Sequence, residues 1–294
     1  MSSERYIMMD NRLLPQPEGC IPVNSRAQMY GEGCFDTFRT YRGSTLHLAD
    51  HLERLQSGLK AIGIGLPDGL EDEQQLAAGL YRLLQSNNLL EADAIVRIQA
   101  WRSGNRGYRL TGETESHFTM TAHPLAGTEE SLQLSSVDVR RIPDASLPSR
   151  YKFTNGLNYI LAARQAAALG GDDAVMLTNE EKVSETTIAN IFWRNGNVIF
   201  TPSEECDLLP GITRGIIIKL LNDMDDITFT QGQFAIEQLI DADVVWVCNS
   251  VREVQPVSGI DDVSFPVMDE FLRRLTGAFR DYRNSNLVEI GKDG

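Results

Sequence analysis

Residues 94–131 read AIVRIQAWRSGNRGYRLTGETESHFTMTAHPLAGTEES. The segments AIVRIQAWR (94–102) and HFTMTAH (117–123) alternate apolar and polar residues, the period-two mark of half-buried strands. Between them lies a glycine-rich, arginine-containing loop, Ser103–Thr111. From His123-Pro124 through Ser131 the chain is polar and turn-rich, which marks a boundary between two folded parts. Two strands joined by a loop alone do not follow the βαβ rhythm of a nucleotide-binding fold.

Toward the N-terminus, CFDTFRTY (34–41) alternates Phe and Thr in the same strand pattern. Leu48–Ile62 sets Leu52, Leu55 and Leu59 on one helical stripe, with Asp50, Glu53 and Arg54 off it. A second helix over Glu71–Leu90 turns Leu76, Leu80, Leu83 and Leu84 inward. This part reads strand, strand, helix, helix, strand, strand. Toward the C-terminus come a strand (132–140), a loop with Pro143 and Pro148, and the segment SRYKFTN. The helix GLNYILAARQAAALGG then closes on Gly170-Gly171. DAVMLTN, NIFWRN, NVIFTP and DVVWVCN (243–249) read as strands, with a hairpin turn at Asn195-Gly196. Pro210-Gly211-Ile212-Thr213 opens another helix. The expected fold is α+β, with mixed sheets and flanking helices in two domains. Residues 1–124 form the smaller, 125–131 the linker and 132–294 the larger.

A hydrophobic share of 42% with 23% charged residues suits a globular chain that needs no staples. Cys20, Cys34, Cys206 and Cys248 show neither CxxC nor zinc spacing, so buried thiols in a reducing compartment are expected. The start, MSSERYIMMDNRLLP, lacks a signal-peptide layout. No apolar run approaches the roughly 18 residues needed to cross a bilayer. A soluble cytoplasmic protein without a membrane partner is expected. The net charge of −14 repels phosphate backbones, so no nucleic-acid partner is expected. A small anionic ligand would need a local cluster of arginine and N–H groups.

Three features carry chemistry. Lys152 sits just before a long helix and, taken alone, reads as a solvated lysine. Glu185 follows 33 positions later in VSETTIANIFW. In LLPGITRG (208–215), Gly211, Ile212 and Thr213 lie at a helix start, where N–H groups and the helix dipole favour a phosphate. A threonine at a helix start, as Thr213 is, more often serves as a plain cap. Arg54 could add a positive charge. An amine for an aldehyde, an acid for a ring nitrogen and a phosphate cup are the parts that pyridoxal 5'-phosphate (PLP) needs. His47 and His51 are spaced i, i+4, but no third metal ligand accompanies them. His117 and His123 read as structural.

The stretches YGEGCFDTFRTYRG (30–43), HLERL (51–55), YKFTNGL (151–157), VSETTIANIFW (183–193), LLPGITR (208–214) and CNSVREVQPV (248–257) occur in this order. Through them the chain resembles, over almost its whole length, the class IV (fold-type IV) PLP enzymes. These include branched-chain aminotransferases, D-amino acid aminotransferases and aminodeoxychorismate lyases. The resemblance implies that Lys152 is the Schiff-base lysine and proton shuttle, and that Glu185 partners the pyridine nitrogen. It places Arg54, Gly211, Ile212, Thr213, Asn249 and Ser250 among the cofactor-binding residues. Phe35 and Thr37 fall on the strand lining the substrate pocket. Arg106 and Tyr108, in WRSGNRGYR (101–109), fall where a substrate carboxylate is bound. Arg252 fits no branch, and either clamps a second carboxylate or points outward.

Leu157 stands where branched-chain aminotransferases carry a tyrosine, and Asn155 matches a lysine-x-x-asparagine pattern. Thr154 departs from the usual leucine. The implied activity is a 4-amino-4-deoxychorismate lyase; the alternative is an aminotransferase passing an amino group to a 2-oxo acid. Intact Lys152, Glu185 and phosphate residues argue against a non-enzymatic binding protein. A homodimer is implied by resemblance.

Overall fold

The protein is described by a computed structural model covering residues 5–127 and 130–291. The expected linker therefore lies outside the described residues at 128–129, as do the outer ends of both expected domains. The chain divides into two compact units. One runs through Ala126 and adds Tyr151–Asn155 and the residues from Ser285 onward; the other holds Gly127–Arg150 and Gly156–Asn284.

The first unit is built on β1 (Tyr6–Met9), β2 (Arg12–Pro15), β3 (Gly33–Tyr41), β4 (Ser44–Leu46), β5 (Ala94–Arg102), β6 (Ser116–Pro124) and a C-terminal strand, Leu287–Glu289. Their order is Leu287–Glu289, β4, β3, β5, β6, β1, β2. Every pairing among these described strands is antiparallel. Helices α1 (Arg26–Tyr30), α2 (Leu48–Ala61) and α3 (Glu73–Ser86) accompany the sheet. The leucine stripes of α2 and α3 meet Phe38, Val96, Ile98 and Phe118 in one core. Burying each such leucine stabilises the unit by about 1.5–3 kcal/mol. Helix α3 starts two residues later than the periodicity suggests, because Asp72 caps it by accepting from Gln75 N at 2.8 Å.

The second unit holds β7 (Leu132–Ser136), β8 (Asp173–Leu177), β9 (Val183–Glu185), β10 (Asn190–Asn195), β11 (Val198–Pro202), β12 (Thr228–Gly232), β13 (Val244–Asn249), β14 (Glu253–Ile260) and β15 (Val263–Ser264). The order is β12-β11-β10-β13-β14-β7-β8-β9, with β15 on β14. This sheet is the mixed one: β12 is parallel to β11, and β7 to both β14 and β8. Helices α4 (Leu157–Ala168), α5 (Ile212–Asn222), α6 (Ile236–Ile240) and α7 (Glu270–Asn286), the last as far as Asn284, complete the unit. The hairpin at Asn195-Gly196 forms, with Gly196 at φ 58°. After α4, Gly170 takes φ 90°, a conformation that favours glycine.

Two segments that follow the sequence boundary belong with the first unit. Tyr151–Asn155 hydrogen-bonds to β3, and Leu287–Glu289 pairs with β4. Cys34, Cys206 and Cys248 are buried, but Cys20 is exposed, contrary to expectation. It lies in an irregular stretch between β2 and α1, away from either core. Among the described residues no helix is long and apolar enough to cross a membrane.

Candidate active site

Lys152 is presented by an edge extension of β3. Residues 33–35 pair with β5 on one side, while β4 pairs only with Thr40 and Tyr41. The unfilled edge is taken by the lysine segment: Phe35 N donates to Lys152 O at 2.9 Å and Thr154 N to Gly33 O at 3.0 Å. Thr154, the residue that departs from leucine, also donates its hydroxyl to Gly31 O and Gly33 O. Close approach needs Gly58 on α2, where a Cβ would lie 2.9 Å from Cys34 Sγ.

The half-buried Lys152 places Nζ 4.7 Å from the centroid of the Phe35 ring. Arg97 Cζ lies 3.7 Å from the same centroid, so this ring attracts two cations. Phe35 and Thr37 stand opposite Gln99 and Arg97, which stand opposite Thr119 and Thr121. Directly opposed residues share a sheet face. All six are half-buried. The face turned toward the lysine is thus polar around Phe35, with Trp101 and Ile95 farther along the same strand face. Burial lowers the proton affinity of Arg97 while Asp36 raises it; a guanidinium of this kind remains cationic.

Arg54 is engaged in a buried network. Its Nε and Nη2 donate to Asp36 Oδ2 at 2.8 Å and Oδ1 at 2.9 Å, leaving Nη1 outside that pair. His51 Nδ1 lies 2.9 Å from Asp36 Oδ1. Asp36 is fully buried. Burial alone would push its carboxyl up, but Arg54 and His51 outweigh that and hold it well below the usual carboxylate range. The signal was present in CFDTFRTY, where Asp36 shares the core-facing side with Cys34 and Phe38. His47 pairs with Asp50 instead. Among the described residues no group of three His, Cys, Asp or Glu side chains is placed to hold a metal.

Glu185 closes β9 and is 4% exposed. Its Oε1 lies 3.0 Å from Tyr159 Oη and 3.2 Å from Arg141 Nε. Its Oε2 accepts from Leu209 N at 3.1 Å and from Asn190 Nδ2 at 3.4 Å. Asn190 Nδ2 also donates to Leu209 O at 2.8 Å. A Cβ at Gly211 would collide with Asn190 Oδ1, so glycine there lets the α5 approach lie against this cluster.

Helix α5 begins after Gly211 with no side-chain cap. Its first N–H groups therefore have neither a helical nor a side-chain acceptor. Thr213 Oγ1 lies 3.3 Å from Ser250 Oγ. Asn249 shapes the turn bearing Ser250: its Oδ1 accepts from Val251 N at 3.0 Å and Arg252 N at 2.8 Å, and its Nδ2 donates to Ile188 O at 3.2 Å.

Residues 33–260 match the family model described as amino-transferase class IV. The chain belongs to that family. It is 31% identical over 271 residues to an aminodeoxychorismate lyase of Vibrio harveyi, covering 89% of this chain and 96% of that protein. It is 30% identical over 290 residues to a putative branched-chain-amino-acid aminotransferase of Methanocaldococcus jannaschii, covering 97% and 98%. The structure of a branched-chain aminotransferase from Thermoproteus uzoniensis with norvaline superposes with a TM-score of 0.89 at 27% identity, covering 98% of this chain and 100% of that one.

PLP is the cofactor of the class IV family, and the residues present fit it. A lysine beside an aromatic ring, a buried carboxylate and two hydroxyls at an uncapped helix start match an aldehyde, a ring nitrogen and a phosphate. Three further positions named from the sequence lie on loops and turns. Arg106 and Tyr108 are exposed, Tyr108 at 93%. Their loop is fixed from α1: Arg26 Nη1 donates to Asn105 O and Gly107 O, and Gly107 N donates to Tyr30 Oη at 2.7 Å. Arg252 is half-buried, with Nη1 donating to Gln255 Oε1 at 3.1 Å. Asp36, Arg97, Arg141 and Tyr159 were missed by the sequence reading, since each acquires its meaning from a partner distant in sequence.

Proposed function

We propose that this class IV enzyme is a 4-amino-4-deoxychorismate lyase that releases 4-aminobenzoate and pyruvate. The carrying observation is the polar, cationic sheet face beside Lys152. A branched aliphatic side chain needs an apolar pocket, whereas Thr37, Arg97, Gln99, Thr119 and Thr121 surround Phe35 on that face. An arginine suits a substrate carboxylate, which it can grip bidentately, and the proposed substrate has two. The similarity to the Vibrio harveyi lyase supports the same reading. Arg106, Tyr108 and Arg252 are the further candidates for the second carboxylate.

In this reading Lys152 carries the cofactor's aldehyde at rest and then moves the proton at the carbon bearing the nitrogen. Glu185 holds the proton on the ring nitrogen. Gly211, Ile212, Thr213 and Ser250 hold the phosphate, with Arg54 offering Nη1 and Asn249 shaping the turn. When bound, PLP supplies the electron sink. Overall, the nitrogen-bearing carbon loses its proton, the ring C–O bond breaks with its electron pair leaving on the enolpyruvate oxygen, the ring becomes aromatic, and the enolpyruvate takes up a proton to become pyruvate.

The second reading is an aminotransferase, favoured by the Methanocaldococcus jannaschii relative and the Thermoproteus uzoniensis structure. Incubating the holoenzyme with aminodeoxychorismate, and separately with L- and D-amino acids without an oxo acid, distinguishes them. The lyase reading expects 4-aminobenzoate in the first arm. Stoichiometric conversion of the cofactor to its amine form, with no 4-aminobenzoate, would falsify it.

A homodimer is proposed on the same footing. Leu157, Ile160 and Leu161 form a stripe on α4 exposed by 63%, 50% and 46%, an apolar surface of the kind that marks association. Light scattering should give twice the chain mass; a monomer's mass would rule the dimer out. Four unpaired cysteines support a cytoplasmic location.

A further inference from the structure

The geometry points to Tyr159 as a positioning residue that weakens the grip of Glu185 on the ring-nitrogen proton. This rests on the reading that Glu185 partners the nitrogen of PLP. Several donors of this chain share the lone pairs of the Glu185 carboxylate, and each competes with a further N–H for its charge. At Oε1 the two donors are not equivalent. Arg141 Nε is divided, lying 3.0 Å from Asp207 O and 3.2 Å from Glu185 Oε1. The Tyr159 hydroxyl, 3.0 Å from Oε1, is not divided in this way.

Tyr159 is also fixed in place and in protonation. Arg141 Cζ sits 4.5 Å from its ring centroid, and Arg141 Nη1 donates to Asn158 Oδ1 at 3.1 Å. Burial, and then the neighbouring Glu185 charge, push the phenol well above its usual range, so it stays a donor. A hydrogen bond from a phenol to an anion draws charge from the oxygen and makes it a poorer acceptor for a further N–H. Lys152 and Tyr159 lie seven residues apart in sequence, so the helix that follows the reactive lysine also tunes the acid.

The test uses holoenzyme reconstituted with ring-15N-labelled PLP, in the wild type, Tyr159→Phe and Glu185→Gln. Phenylalanine keeps the ring on Arg141 and removes only the hydroxyl. The expected result for Y159F is a ring N–H resonance displaced downfield, with the pH at which that proton is lost raised by roughly half to one unit. The visible absorbance of the lysine-bound cofactor should be retained. An unchanged resonance and midpoint in Y159F overturns the role, even if melting temperature or cofactor affinity changes, because that pattern belongs to packing alone. If E185Q leaves the N–H resonance as in the wild type, the underlying assignment of Glu185 fails instead.

Discussion

Replacing Lys152 with alanine is expected to abolish the visible absorbance of the reconstituted protein and lower turnover by more than about 10³-fold. The fold should survive. The bond joining this segment to β3 runs from Phe35 N to the backbone carbonyl of Lys152, not to its side chain. The side chain itself contacts the Phe35 ring, whose neighbour Arg97 remains. Far-ultraviolet circular dichroism should therefore match the wild type while cofactor absorbance is lost. Borohydride reduction and peptide mapping give a direct check, because the chain has only five lysines: Lys60, Lys152, Lys182, Lys219 and Lys292. Label on any of the other four would sink the assignment.

Asp36→Asn should be the most destabilising single substitution near the site, by about 3–5 kcal/mol. Asparagine preserves the shape but leaves Arg54, whose side chain is 13% exposed, without its counter-charge. The effect has a pH signature. The folded protein holds the Asp36 carboxyl below its ordinary value of 3.8. Its contribution is therefore fully present above that value and is lost as pH falls through the lower folded-state range. Urea denaturation at about pH 7 should show the full gap between wild type and variant, and at about pH 3 a smaller one. A gap that is constant over this interval would show that the charge of Asp36 is not what holds the network.

Much of the architecture was legible because it is local. Leucine at three- and four-residue spacing on Leu48–Ala61 and Glu73–Ser86 dictates which helix faces are buried. The alternation in Gly33–Tyr41, Ala94–Arg102 and Ser116–Pro124 dictates which strand faces are. The hairpin at Asn195-Gly196 and the uncapped start at Gly211 are written in single residues. The family was legible too, since its motifs depend on order and spacing along the chain.

The sequence alone thus determined the family and those elements whose pattern is local, because each is encoded in neighbouring side chains. Tertiary structure alone decided what the site residues touch. It added Lys152 to the edge of β3, matched Asp36 with Arg54 across the core, and turned Arg97 onto the Phe35 face. It also set Tyr159 and Arg141 on one oxygen of Glu185. These are contacts between positions far apart in the chain, where electrostatic pairing in a buried setting outweighs any local preference.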